Sequence, residues 1–194
     1  MTPMDRTNIV ALPHERLRQK STKISSFDDD LKDFVQKMRE ASLDWESSRE
    51  HETCVGLAAI QVDELKRVVI LREDLDDKEN TNFVTLVNPK IIKTYGPVEH
   101  DYEGCLSVKD IYAYVPRHTK VKIKAQDEEG NEFRLTAEGF RARLIQHEID
   151  HTNGVLIIDH VRDDPDAFFR IDDDGKIEKL DYETEVKDSD QLWD

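Results

Sequence analysis

Cysteine is nearly absent. Only Cys54 and Cys105 occur in 194 residues, too few for a disulfide framework. No segment approaches the roughly 20 consecutive apolar residues that a membrane span requires. The start, Met1-Thr2-Pro3-Met4-Asp5-Arg6, carries no apolar signal region. Repeats and long low-complexity tracts are missing too, which excludes solenoids and arrays. Positive charge is in deficit: 28 Lys and Arg against 43 Asp and Glu give −15, a poor basis for gripping a phosphate backbone. These absences set the expectation of a cytoplasmic protein in a reducing compartment, without membrane or direct nucleic-acid partners, and long enough for one domain with a sizeable core.

What is present is concentrated in three short segments. Gln146-His147-Glu148-Ile149-Asp150-His151 places two imidazoles four residues apart, with a carboxylate directly after the first. On a helix, positions i and i+4 share a face, so both rings can bind one metal ion, and Glu148 beside it can take a proton from water. Thr136 as N-cap, Ala137 to His151 without proline, and Gly154 as the C-terminal glycine predict such a helix, with Phe140, Leu144, His147 and His151 in one stripe. The same string also arises by chance on helices whose histidines are surface or satisfied core groups. Two histidines alone hold a catalytic metal poorly. Cys105 in Tyr102-Glu103-Gly104-Cys105-Leu106-Ser107 is the best third ligand, although composition alone does not choose it over the many Asp and Glu residues. In Val55-Gly56-Leu57-Ala58-Ala59-Ile60-Gln61-Val62, Gly56 permits close backbone approach and Gln61 offers an amide donor for a developing oxyanion. Read without context, that run is a buried strand or loop.

Together, Gly56-Leu57-Ala58-Ala59-Ile60-Gln61, Glu103-Gly104-Cys105-Leu106-Ser107 and Gln146-His147-Glu148-Ile149-Asp150-His151 resemble the three motifs of the peptide deformylases, in the same order and with similar spacing. Arg16-Leu17-Arg18, Asn88-Pro89, Val115-Pro116-Arg117 and Gly154-Val155-Leu156 extend the likeness over roughly Ile9 to Arg162. The resemblance implies removal of the N-formyl group from N-formylmethionyl nascent chains, with release of formate. It implies Cys105, His147 and His151 as ligands of one divalent metal, Glu148 as acid/base, and the Gln61 amide and Leu106 main-chain N–H as oxyanion donors. It favours Fe(II) in the cell, with zinc, nickel or cobalt in purified material. Val55, Gly56, Phe140, Arg143 and Leu144 would line the substrate site. The Arg143 head would meet substrate carbonyls or an acid such as Asp101, or else pair on the helix surface. Asp150 and Arg117 are a candidate buttress pair, or two solvated charges. The alternatives are a zinc endopeptidase, which also uses H-E-x-x-H, and a catalytically inactive metal-binding relative.

The chain departs from the family pattern at Thr53 and Tyr112, where an acid and an arginine are expected to pair, at Cys54, where glycine is usual, and at Lys109, where proline is frequent. Cys54 reads as a small apolar core residue.

The periodicities predict an α+β fold, with antiparallel or mixed sheets packed around the central metal-binding helix. Ser26 opens an N-terminal core helix through Leu31, Phe34, Val35 and Met38. Strands are expected at Arg67 to Leu71, Phe83 to Val87, Val98 to Tyr102, Lys120 to Ala125 and Glu132 to Leu135, with a turn at Glu129-Gly130-Asn131 and a polar surface loop from Asp74 to Asn82. The expected division is a catalytic domain over 1–162 and an acidic tail over 163–194, with a short hairpin around Asp173-Asp174-Gly175. From His160 to Asp194, 13 acids against five Lys and Arg give −8. Such a stretch suits a solvated tail of a monomer better than a transient ribosome contact.

Overall fold

A computed structural model describes residues 3–49, 52–77, 79–171 and 176–193. Helix α1 spans Asp29–Ser47 and is capped by the Asp28 side chain, which accepts from the Leu31 N–H at 3.1 Å. The cap lies two residues beyond the expected Ser26, whose hydroxyl instead donates to Asp28 at 2.6 Å. Leu31, Phe34, Val35 and Met38 are buried as their spacing predicts. Each such side chain contributes about 1.5–3 kcal/mol.

One antiparallel sheet organises the rest. β1 (Gly56–Ala58), β2 (Val68–Arg72), β3 (Phe83–Cys105) and β4 (Val108–Gln126) pair in sequence order. β5 (Glu132–Glu138) pairs with the C-terminal half of β4, while β6 (Phe168–Ile171) pairs with Tyr112 and Ala113 nearer its start and carries β7 (Ile177–Lys179). The segments expected separately at 83–87 and 98–102 belong to one strand. Asn88 at φ 53°, Pro89 and Gly96 at φ 77° read as strand ends, yet the sheet absorbs them as bulges where the register shifts between Val87 and Lys90 and between Tyr95 and Val98. Val108 to Thr119 is also strand, although Pro116 argues against it in the sequence. The turn at Gly130 (φ 86°) is as expected, with Asp127 accepting from the Glu129 and Asn131 N–H groups at 3.0 and 2.8 Å.

Helix α2 is Gly139–His151, two residues shorter at its start than a Thr136 cap implies. Thr136 and Ala137 are still in β5, opposite Lys122 and Val121, and Gly139 at φ 59° turns the chain from strand into helix. Ala142, Leu144, Ile145 and Ile149 pack on Val69, Leu71, Val121, Ile123 and Ala137, so the metal helix lies against the sheet.

The last thirty residues are not a loose solvated tail. Phe168, Leu180, Val186 and Leu192 are buried in one cluster with Leu12, Leu17, Val115 and Leu156, and Arg18 donates to the Leu192 carbonyl at 2.8 Å. Sparse apolar residues among many acids hide this in the charge count. β6 and β7 form a hairpin, and its turn, Asp173-Asp174-Gly175, lies outside the described residues.

Candidate metal centre

Cys105 closes β3, immediately before the two-residue turn Leu106-Ser107, and pairs there with Val108. His147 and His151 stand one helical turn apart on α2, facing that turn. Cys105 Sγ lies 3.3 Å from His151 Nε2, and the two Nε2 atoms are 3.2 Å apart. All three donor atoms fall within 4.8 Å of one another. A tetrahedral ion with bonds of about 2.0–2.3 Å has ligand–ligand edges of roughly 3.3–3.6 Å, so the set fits one divalent metal.

The electrostatics also favour a cation. Burial works against charge on His147, but the Cys105 sulfur and the Glu103 carboxylate outweigh it and raise its pKa well above the ordinary value. Burial and the neighbouring His147 push His151 well below that value, so it is the neutral imidazole a metal needs. A metal ion would supply the positive charge that the cluster otherwise draws as a proton.

Glu148 is on the same helix, 3% exposed, and its Oε2 has no hydrogen-bond partner among the described residues. Burial pushes its pKa up to about 7, which poises it as a base near neutrality. A Cβ on Gly56 would lie 2.6 Å from Glu148 Oε1. Gly56→Ala is therefore expected to displace the carboxylate and lower turnover on the order of 10²-fold, with metal content unchanged by elemental analysis.

Gln61 sits in a 3₁₀ turn, Ala59–Val62, directly after β1. Its Oε1 accepts from the Ala58 N–H at 2.9 Å, which aims the NH2 at Ser107 Oγ (3.2 Å) and toward Cys105 Sγ (3.8 Å). Ser107 in turn donates to the Val10 carbonyl at 2.8 Å, tying the amide to the N-terminal segment. Leu106 lies half-buried beside Cys105 in the turn.

Behind the cluster is a charged hub that the motifs did not reveal. Glu103 accepts from Arg117 at 2.9 and 3.0 Å, from Arg143 at 2.7 Å and faces His147 Nδ1 at 2.9 Å. Arg117 also pairs with Asp150, the buttress expected from sequence, and His160 meets Asp150 at 2.7 Å. Burial raises the Glu103 pKa, but the donors from His147 and Arg117 overcome it and hold the carboxyl far below its usual range. The signal was available: Glu103 is two residues before Cys105 on one strand, so both side chains point inward, and an inward carboxylate demands partners.

Arg143 is a strut of this hub. It does not pair with Asp101: its two terminal nitrogens reach Glu103, the Val115 carbonyl (2.8 Å) and the Glu99 carbonyl (2.7 Å). Of the other expected substrate-site residues, Gly56 and Leu144 are buried, Val55 is half-buried and Phe140, in the first turn of α2, is 55% exposed. Cys54 is buried with its thiol pushed up to about 12 by burial, as befits an inert core residue. Tyr112 packs on Gly104, where a Cβ would lie 2.8 Å from its ring. Two of the charges beside Tyr112, Arg49 and Glu52, pair with each other at 3.1 Å.

A Cys/His2 cluster with a buried carboxylate beside it, set in an α+β fold, is the equipment of a hydrolytic metalloenzyme. The chain matches the family described as polypeptide deformylase over residues 6–166. It is 41% identical over 155 residues to a peptide deformylase of Brachyspira hyodysenteriae, covering 79% of each chain, and 42% identical over 147 residues to one of Caldicellulosiruptor bescii, covering 76% of this chain and 80% of that one. The fold superposes with TM-score 0.70 on a Synechococcus elongatus peptide deformylase in complex with actinonin (36% identity, 82% of this chain, 79% of that one). The enzyme of Thermotoga maritima gives 0.71 (33% identity, 82% and 98%). The chain belongs to the polypeptide deformylase family, metal-dependent enzymes that remove the N-formyl group from nascent polypeptides.

Proposed function

We propose that Cys105, His147 and His151 hold one divalent metal, that Glu148 is the acid/base, and that the Gln61 amide and the Leu106 N–H stabilise the oxyanion of formyl-group hydrolysis. The observation that carries this reading is the convergence of the three donor atoms within 4.8 Å beside a buried carboxylate whose Oε2 lacks a partner. When bound, the metal supplies a Lewis acid and lowers the pKa of water at the site.

The chain's own groups do the rest. Glu148 takes a proton from water as its oxygen bonds to the formyl carbon. The carbonyl oxygen gains negative charge, and the Gln61 NH2, aimed by its own carbonyl's bond to Ala58, donates to it. The carbon–nitrogen bond then breaks, Glu148 returns the proton to the departing amine, and formate and a free N-terminus result. The hub of Glu103, Arg117 and Asp150 fixes the His147 ring through Nδ1, leaving Nε2 for the metal.

Thiolate with two imidazoles suits ferrous iron or zinc, and we assign Fe(II) as the cellular metal on the strength of the family resemblance. Formylmethionyl peptides are the substrates, with Val55, Gly56 and Leu144 bordering the side-chain pocket and Phe140 at its rim. Gln61→Ala, assayed by formate release from a formyl-Met peptide, is expected to lower kcat by about 10²–10³-fold with metal retained. Unchanged kcat would remove Gln61 from the mechanism. An unblocked peptide is expected to remain uncut, the result that separates this reading from an endopeptidase.

A further inference from the structure

Away from the metal cluster, a cavity of about 630 Å³ opens between the N-terminal segment, the β3–β4 hairpin and the end of α2. Lys20, Lys23, Arg67, Lys90 and Lys124 line it against a single acid, Glu132. Arg67 is spent on the Pro89 and Thr152 carbonyls and Asn153, but Lys20, Lys23, Lys90 and Lys124 have no carboxylate partner among the described residues. Ser21 also lines the cavity, 6% exposed, and its Oγ has no hydrogen-bond partner. Four ammonium groups without carboxylate partners around one cavity are an arrangement that anions complete.

The sheet beside the cavity repeats the pattern. In β4 the odd positions Val121, Ile123 and Ala125 face the core, so Lys120, Lys122 and Lys124 face outward. Lys124 stands directly opposite Lys90 on one side and Arg134 on the other, and Lys122 stands opposite Lys93. Like charges directly opposite destabilise a sheet, and among the described residues the only ion pair in this set is Lys120 with Glu138 at 2.9 Å. This concentration of positive charge occurs in a chain of net −15.

We propose that the cavity and this cationic row form a docking site for the phosphate backbone of RNA. The cations run on past the cavity from Lys124 to Lys120, roughly 13 Å along the strand, which is too far for one phosphate group. A line of cations running out of a recess is the footprint of a groove that tracks a phosphodiester backbone. Whole-chain charge conceals the site because the acids lie elsewhere, among them the last thirty-five residues with −8.

The test is fluorescence anisotropy of a labelled oligouridylate with the metal-loaded full-length enzyme, between about 50 and 200 mM salt. Saturable binding is expected, with a log–log salt slope near −3 if about four phosphates are neutralised. Lys90→Gln/Lys124→Gln/Arg134→Gln should weaken it at least tenfold and flatten the slope, with formate release within about twofold of the parent and no loss in urea midpoint. Lys20→Gln/Lys23→Gln, off the sheet, should weaken it as well, so that a folding defect in the triple variant does not decide the matter. Lys179→Gln/Lys187→Gln in the acidic segment should leave binding unchanged. No RNA binding at the lowest salt, affinity equal to the parent's in both cavity variants, or saturation only by inorganic phosphate or by phosphatidylserine vesicles would overturn the proposal.

Discussion

Glu148→Ala is expected to lower formate release by about 10³-fold or more while the protein retains one equivalent of metal. General acid–base catalysis by one positioned group is worth roughly 10²–10⁴, and in the proposed mechanism one carboxylate serves twice, first on water and then on the leaving amine. Glu148 is not among the proposed ligands. Cys105, His147 and His151 converge without it, and its Oε2 is unpartnered. Removing it should therefore leave the metal in place. Elemental analysis beside single-turnover kinetics checks both halves. Loss of metal with loss of activity would make Glu148 a ligand instead.

The largest effect on stability is expected from Glu103→Ala. Two guanidinium groups, Arg117 and Arg143, and the ring of His147 all point at this one carboxylate in a nearly water-free setting. Removing one partner of a buried ion pair costs about 3–5 kcal/mol, because the other charges remain buried. For a chain of this length each kcal/mol shifts Tm by roughly 2–4 °C, so a fall of about 6–20 °C is expected in a thermal melt. Metal affinity should also drop about 10–100-fold, since His147 loses the group that orients it. Glu103→Gln keeps the shape and should fall between the two. The pH dependence has a definite sign. Folding depresses the pKa of Glu103 and of Asp150, so their contribution is complete above the unfolded values near 4.5 and 3.8 and is lost as pH falls below these. Glu103→Ala should flatten this acid limb, and a melt series from about pH 7 down to pH 3 measures it. An unchanged Tm in Glu103→Ala would mean that the hub does not hold the site together.

The site was more legible in the sequence than the fold around it. Ligand chemistry demands particular residue types at particular spacings, so His147, Glu148 and His151 stood out from one segment, whereas Cys105 and Gln61 followed only from the likeness of all three segments to the deformylase motifs. The Arg117–Asp150 pair was legible as well. Glu103 was not, because its role depends on three partners from two distant elements, although its parity with Cys105 pointed inward. For Arg143 the sequence offered substrate carbonyls, an acid such as Asp101 or a surface pair, and its actual partners, Glu103 and the Glu99 and Val115 carbonyls, lie on β3 and β4. In the fold, the breakers misled. Asn88-Pro89, Gly96 and Pro116 announce strand ends, but paired neighbours on both sides carry the strands through them as bulges and edge irregularities. The acidic final segment shows the opposite error, where a charge count outweighed four well-spaced apolar residues that the structure buries.

The most direct test is formate release from formyl-Met-Ala-Ser by protein purified without oxygen and reconstituted with Fe(II), with metal content and turnover measured on the same sample. The account predicts turnover proportional to bound metal up to one equivalent per chain, and its disappearance in Cys105→Ala, which removes a ligand. Protein carrying one equivalent of metal that releases no formate, or Cys105→Ala that binds and turns over like the parent, would contradict it.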